Sequence, residues 1–169
     1  MAAATEEFFD VVDEFDVPIE RMSRSEVHRQ GLRHRAVHIF LFRTDGRILI
    51  HLRTATKEEF PSVWTSSASG HVSAGESYST AAERELLEEL GVSASLAHVA
   101  KFDACAATSN EFTELYEARS DADIAVDSSE IADIKWVTLE EARARVEAAP
   151  DEFSPAFRLL FAAYLRTHP

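Results

Sequence analysis

Three glutamates within five positions constrain this chain more than any other feature. They lie in Arg84-Glu85-Leu86-Leu87-Glu88-Glu89, just ahead of Leu90 and Gly91. At about 100° per residue on a helix, Glu85, Glu88 and Glu89 share one face, and Ala82, Leu86 and Leu90 share another. The apolar face can bury against a sheet. The carboxylates repel one another and add nothing to the helix unless a cation is held among them. Hard oxygen ligands in this arrangement suit Mg²⁺ or Mn²⁺ rather than zinc. A surplus of Glu on a helix is by itself an ordinary solvated face, so the residues around it must decide.

The chain has 169 residues, 46% of them hydrophobic, enough for one domain with a buried core. Its formal net charge of −13 argues against nucleic-acid or anionic-membrane partners, which need a basic surface. The same charge means that a phosphate-bearing ligand requires a bound metal or a few well-placed cations. The single cysteine, Cys105, has no intrachain partner, which fits a reducing cytoplasm. No secretory leader and no apolar run of membrane-spanning length is visible.

The pattern along the chain is mixed. Phe8 to Val12 and Pro18 to Met22 read as a hairpin around Asp13-Glu14-Phe15-Asp16, followed by one or two helical turns over 23–30 capped by Ser23 or Ser25. Ala36 to Phe42 and Ile48 to Leu52 are strands joined by Thr44-Asp45-Gly46, the clearest hairpin in the sequence. An extended run over 62–69 leads to a loop over 70–75 and a helix over 77–90. Gly91 stands where a left-handed C′ residue belongs. Strands follow over 96–106, 112–118 and 131–137. Thr138 and Glu141 form a capping box for a helix over 139–148, and Ser154 with Pro155 starts the last helix. Phe157, Leu160, Phe161 and Tyr164 give that helix a core face, with a homodimer contact as the alternative.

The frame around the acidic helix is Gly70, five residues, Glu76, seven residues, Arg84-Glu85, two residues, Glu88-Glu89, one residue, Gly91. This resembles, without departure, the sequence box of the Nudix superfamily. The resemblance implies an α/β/α sandwich with a mixed sheet, here carrying an N-terminal β-hairpin and C-terminal helices. The expected organisation is one domain over 1–169, with 1–30 an extension packed on it and the box at 70–92. The implied activity is divalent-metal-dependent cleavage of a diphosphate linkage in a nucleoside diphosphate-type or related small molecule. By the same resemblance, Glu85, Glu88 and Glu89 are the metal-binding and water-activating carboxylates. The backbone near Ser69 and Gly70 adds a metal ligand. Gly70, Glu76, Arg84 and Gly91 hold the box together.

The stretch Arg53-Thr-Ala-Thr-Lys57-Glu-Glu-Phe-Pro61-Ser-Val-Trp64, running into Ser69-Gly70-His71, resembles the isopentenyl-diphosphate isomerase branch of the superfamily and its most similar hydrolases. Residues matching Arg53 and Lys57 bind the substrate diphosphate in that branch, which suits an acidic protein. His34 and His71 match metal-ligand positions of the isomerase, and His28 lies one residue from a third. The isomerase has Cys where this chain has Ser69, lacks two of the acidic box positions, and has an acidic ligand where this chain has Ser109; Glu111 matches that ligand's neighbour. Moving protons on a carbon skeleton needs an acid stronger than a Ser hydroxyl. Hydrolysis needs only a polarised phosphorus and an activated water. The expectation is therefore a hydrolase, with the isomerase and a non-catalytic nucleotide-binding domain as alternatives. Glu85, Glu111 and Glu114 are the candidate bases. Trp64, Phe60, Phe112 and Tyr116 are candidates to stack on a nucleobase, and each is equally suited to packing.

Overall fold

Strand β3 (His34–Phe42) divides the molecule. Its residues Val37, Ile39 and Leu41 pack with Ala81, Ala82, Leu86 and Leu90 of helix α2 (Tyr78–Leu90). Its residues Phe40 and Phe42 pack with Phe157, Leu160, Phe161 and Tyr164 of helix α4 (Pro155–Thr167). This is strand alternation with both faces covered, and it produces three layers: α2, a mixed sheet, α4. The computed structural model describes residues 6–168.

One arm of the sheet runs β7 (Leu96–Phe102), β8 (Glu111–Arg119), β3, β6 (Ala68–His71), with β3 and β8 parallel. The other runs β9 (Ile131–Val137), β4 (Ile48–Arg53), β5 (Trp64–Thr65). The turn over 44–46 forms as expected, with Gly46 N–H donating to the Arg43 carbonyl. The long hairpin does not. β3 and β4 pair at Phe42 and Ile48 and then part, β3 to β6 and β8, β4 to β5 and β9. Ser67 fills the gap: its hydroxyl accepts from Leu41 N–H (2.8 Å) and donates to the Leu49 carbonyl (2.6 Å). Buried backbone groups need such partners where a ladder ends. The same divergence splits the extended run over 62–69 into β5 and β6.

The N-terminal hairpin β1 (Phe8–Val12) and β2 (Pro18–Ser23) leads into α1 (Arg24–Gln30). Ser23 occupies the N-cap position of α1 without a side-chain cap bond. Asp16, buried in the hairpin turn, accepts from Arg35 Nε (2.6 Å) and Tyr78 OH (2.9 Å) and pairs with Lys101. Ala74 N–H donates to the Phe8 carbonyl (2.8 Å) and Gly75 N–H to Asp10 Oδ2 (2.9 Å). The hairpin is thereby fixed against the loop that precedes α2. β7 ends at Phe102, short of the expected 106, because Cys105 to Thr108 turn into a 3-10 segment. Helix α3 (Leu139–Ala148) starts at the expected Thr138–Glu141 capping box, and Ser154 Oγ accepts from Phe157 N–H to start α4.

Candidate active site

A cleft of about 400 Å³ opens between α2, the ends of β3 and β6, and the N-terminal segment. Glu85, Glu88 and Glu89 all line it. Ser77 caps α2 by accepting from Thr80 N–H, and Gly91 (φ 67°) ends it with its N–H on the Leu87 carbonyl. The apolar face buries as the periodicity predicts, and this aims the glutamates at β6. Glu89 is 7% exposed, and its carboxylate accepts the Ser69 N–H (3.1 Å). The Glu85 carboxyl lies directly over Gly70, where a Cβ would overlap its carbon and both oxygens. Glu88 is the outermost of the three.

Arg84 sets this geometry. Its Nε and Nη2 donate to the two oxygens of Glu76 (2.9 and 3.0 Å), and Nη2 also donates to the His71 carbonyl (3.0 Å). Nη1 reaches Glu85 (2.7 Å) and Glu88 (3.2 Å). Glu76 also accepts Ser73 N–H (2.9 Å), so the loop over 72–76 is tied to the helix.

Burial, with the charges of Glu88 and Glu7 adding, pushes Glu85 up to about 7 despite Arg84. Burial and the neighbouring Glu85 raise Glu89 well above the carboxylate range. Two sunken carboxylates set against each other, with Arg84 on only one of them, are the donor set of a hard divalent cation. On that ground the residues fit Mg²⁺ or Mn²⁺.

A second cluster borders the same cleft, with His28, His71 and Glu111 on its wall and His34 buried behind them. The ring nitrogens of His28, His34 and His71 come within 4.8 Å of one another. His71 Nε2 lies 2.9 Å from Glu111 Oε1, and His34 Nε2 lies 3.3 Å from the same oxygen. The Nε2 atoms of His28 and His34 are sealed from solvent without a hydrogen-bond partner, an arrangement that fits a metal ion bound by imidazole. Phe9 stacks on His34 and His71 and covers the group. Burial opposes ionisation of Glu111, but the imidazoles of His34 and His71 outweigh it and hold the carboxyl well below its usual range. Burial and the two other imidazoles push His28 down to about 4.

Arg53 and Lys57 line the cleft, but each has a protein partner. Arg53 donates to the carbonyls of Glu59 (2.8 and 3.2 Å) and Phe60 (3.0 Å), and Lys57 pairs with Glu130. Trp64, expected at the substrate, does not line it. The indole is 7% exposed, lies in the α4 core with Phe153, and is covered by Lys135 and Arg145. A pleated strand sends alternate residues to opposite sides, and here it is Thr65 that faces the cleft. Phe112 and Tyr116 are also buried away from it, and Glu114 is held by Tyr116. Of the four candidate rings Phe60 alone borders the cleft among the described residues. Glu7, Arg24, His28 and His38 line it as well. Sequence reasoning placed His28 only near a ligand position and did not mark the other three. The one available signal was His38, a polar residue on a strand face otherwise filled by Phe40 and Phe42.

A mixed sheet between helices, with a glutamate-bearing helix laid across a glycine strand, defines a Nudix-fold protein. The chain belongs to that family: a NUDIX domain match spans residues 32–157. It is 34% identical to isopentenyl-diphosphate Delta-isomerase 2 of Photorhabdus laumondii over 158 residues, 90% of this chain and 89% of that protein. It is 35% identical to an uncharacterized Nudix hydrolase of Pseudomonas aeruginosa over 147 residues, 84% and 87% of the two chains. The crystal structure of DR0079 from Deinococcus radiodurans superposes with a TM-score of 0.81 at 30% identity, covering 93% of this chain and 98% of that one. No helix among the described residues is long and apolar enough to cross a membrane.

Proposed function

We propose that this Nudix chain is a divalent-metal-dependent hydrolase of a small-molecule diphosphate. The observation that carries the reading is the burial of Glu85 and Glu89 side by side against the Gly70 strand. Carboxylates kept there at a cost to stability are accounted for by a cation and a polyanionic ligand. Glu85 and Glu89, with Glu88 at the rim, would hold Mg²⁺ or Mn²⁺ beside the Ser69–Gly70 backbone. When bound, the ion supplies charge neutralisation at phosphorus and acidifies a water. Arg53 and Lys57 offer positive charge to a diphosphate at the same cleft. Glu85 faces the same space as the ion it would help to hold and is the candidate to take a proton from an attacking water. Glu111 is the weaker candidate, because its carboxylate is engaged by His34 and His71 and held far below neutrality.

A second reading, an isomerase of allylic diphosphates, draws support from the His28–His34–His71–Glu111 cluster and from the isomerase relatives. Ser69 weighs against it, since the isomerase branch has a Cys at the matching position. One experiment separates the two. A panel of nucleoside, sugar and prenyl diphosphates is incubated with Mg²⁺, and phosphate release and isomer formation are followed together. Phosphate or nucleotide release, lowered at least about 100-fold by Glu89→Gln, supports the hydrolase. Isomer formation without release, or release indifferent to that substitution, refutes it.

A further inference from the structure

The loop over 54–62, between β4 and β5, forms one rim of the cleft, and its far half hangs on a single side chain. Arg53, the last residue of β4, closes the loop at its base, where its N–H donates to the Val63 carbonyl (2.9 Å). Its guanidinium then reaches across the loop. Nε and Nη2 donate to the Glu59 carbonyl (3.2 and 2.8 Å), and Nε also to the Phe60 carbonyl (3.0 Å). From 58 to 62 the loop makes no other hydrogen bond among the described residues. Packing does not replace them, since Phe60, Pro61 and Ser62 are all exposed. Yet Phe60 (φ 47°) and Ser62 (φ 57°) both stand in the left-handed region, which residues with a Cβ adopt at a cost. Backbone of that kind persists only where its surroundings fix it. The near half is held separately, by Thr54 N–H on the Glu130 carbonyl (3.1 Å) and by the Lys57–Glu130 pair.

We infer that Arg53 is a positioning residue: it holds the loop over 54–62 against the cleft and serves a diphosphate through Lys57 rather than by a contact of its own. The inference rests on the reading of the chain as a diphosphate-cleaving enzyme, and it departs from the role that the isomerase resemblance implies for Arg53. A diphosphate that takes Lys57 from Glu130 removes one side-chain tie of the loop. The Arg53 fork is then the anchor left beyond Thr54, and it decides where Lys57 is presented. The task suits an arginine, because a planar guanidinium offers several N–H groups in fixed directions and can grip two neighbouring carbonyls at once. A lysine brings the same charge on one flexible ammonium. Charge and grip are therefore separated by Arg53→Lys.

A glutamate-specific protease reads the loop in the full chain without any ligand, because Glu58 and Glu59 lie in it and are unchanged by substitution at position 53. The wild type is expected to resist cleavage after these residues. Arg53→Lys and Arg53→Met are each expected to be cut there at least about tenfold faster. Calorimetric titration with inorganic pyrophosphate and Mg²⁺ reads the site. Arg53→Lys is expected to lose as much affinity as Arg53→Met, at least about fivefold, and either change is expected to cost little more when added to Lys57→Met. A wild-type loop that is cut readily overturns the inference without recourse to any variant. So does an Arg53→Met chain that stays resistant yet loses pyrophosphate, or an Arg53→Lys chain that keeps its affinity; both results belong to a guanidinium that contacts the diphosphate itself. Cleavage as expected in a wild type that binds no pyrophosphate refutes the diphosphate reading and leaves the loop's dependence on Arg53 standing.

Discussion

The carboxyl group of Glu85 lies against the α-carbon of Gly70, in space that any side chain at position 70 would occupy. The glycine is kept for this approach and not for its backbone angles, since it lies within strand β6. Gly70→Ala is therefore expected to displace Glu85 while leaving the sheet intact. Turnover with Mg²⁺ should fall at least about 30-fold, with the melting temperature within a few degrees of wild type. Full activity in that variant would show that the position of Glu85 over the strand is irrelevant.

The proton affinity of Glu85 makes the metal-free chain sensitive to pH. Burial raises the folded-state value to about 7 from 4.5 in the unfolded chain. Below about pH 4.5 both states hold the proton, and the stabilising contribution is fully present. As pH rises from there to about 7, the unfolded chain releases the proton while the folded one retains it, so stability falls; the loss is complete once the pH has passed the folded value. The raised Glu89 acts in the same direction. The depressed Glu111 works the opposite way, with stability lost as pH falls below its unfolded value, so its window lies at lower pH. His28, His38 and His51, which burial holds down to about 4, add stability as pH rises over the same range, so the Glu85 contribution is read as a difference between proteins. Without metal, chemical denaturation should show the stability of wild type relative to Glu85→Gln declining by about 2–4 kcal/mol between pH 4.5 and 8, and Mg²⁺ should stabilise the wild type most strongly above pH 7. A profile unchanged by Glu85→Gln would refute the assignment.

The imidazole cluster predicts a separate response to metal. The sealed Nε2 of His28 has no partner, and that of His34 faces only the Glu111 carboxylate at 3.3 Å, beside His71. A transition ion bound there would use imidazole nitrogen, in contrast to the all-oxygen set on α2. Mn²⁺ or Zn²⁺ should raise the melting temperature of the wild type, and elemental analysis should find about one ion more per chain than in His34→Ala. The stabilisation by Mg²⁺ through α2 should survive that substitution. Equal metal content in the two proteins would reduce the cluster to a group of rings packed around Glu111.

How much of this could be read from the chain depended on how local each signal was. The α2 glutamates, Arg84, Glu76 and Gly91 lie within one short segment, and their spacing placed them on the correct faces before any fold was known. Both capping motifs around α3 and α4 were legible for the same reason. The histidine trio was legible only through the family resemblance, which named His34 and His71 and put His28 one residue from a third position; spacing alone could not join them, because its members come from α1, β3 and β6 and meet through sheet pairing and the Asp16 clamp on the hairpin. An aromatic ring suits stacking and packing equally, so the residue type could not decide the place of Trp64; strand alternation turns it into the core. The hairpin after β3 was misread because a turn motif fixes only the first pair of a ladder. Where the strands go next is decided by competing partners.

That divergence yields the last prediction. Ser67 is fully buried, and its hydroxyl bridges Leu41 of β3 and Leu49 of β4 where the two strands have parted. Ser67→Ala removes one small polar atom but strands a backbone N–H and a carbonyl in the interior. Each unpaired group costs about 1–3 kcal/mol, so urea unfolding should show a loss of about 2–4 kcal/mol. Ser67→Thr keeps the hydroxyl and should lose less, unless its methyl crowds the Ala68–Leu49 core. Neither change touches Glu85 or Glu89, so turnover of the folded fraction should stay near wild type. A Ser67→Ala chain as stable as wild type would mean that the strands rejoin or that water takes the place of the hydroxyl. In that case the divergence of β3 from β4 would be held open by the pairing of β6 and β9 alone.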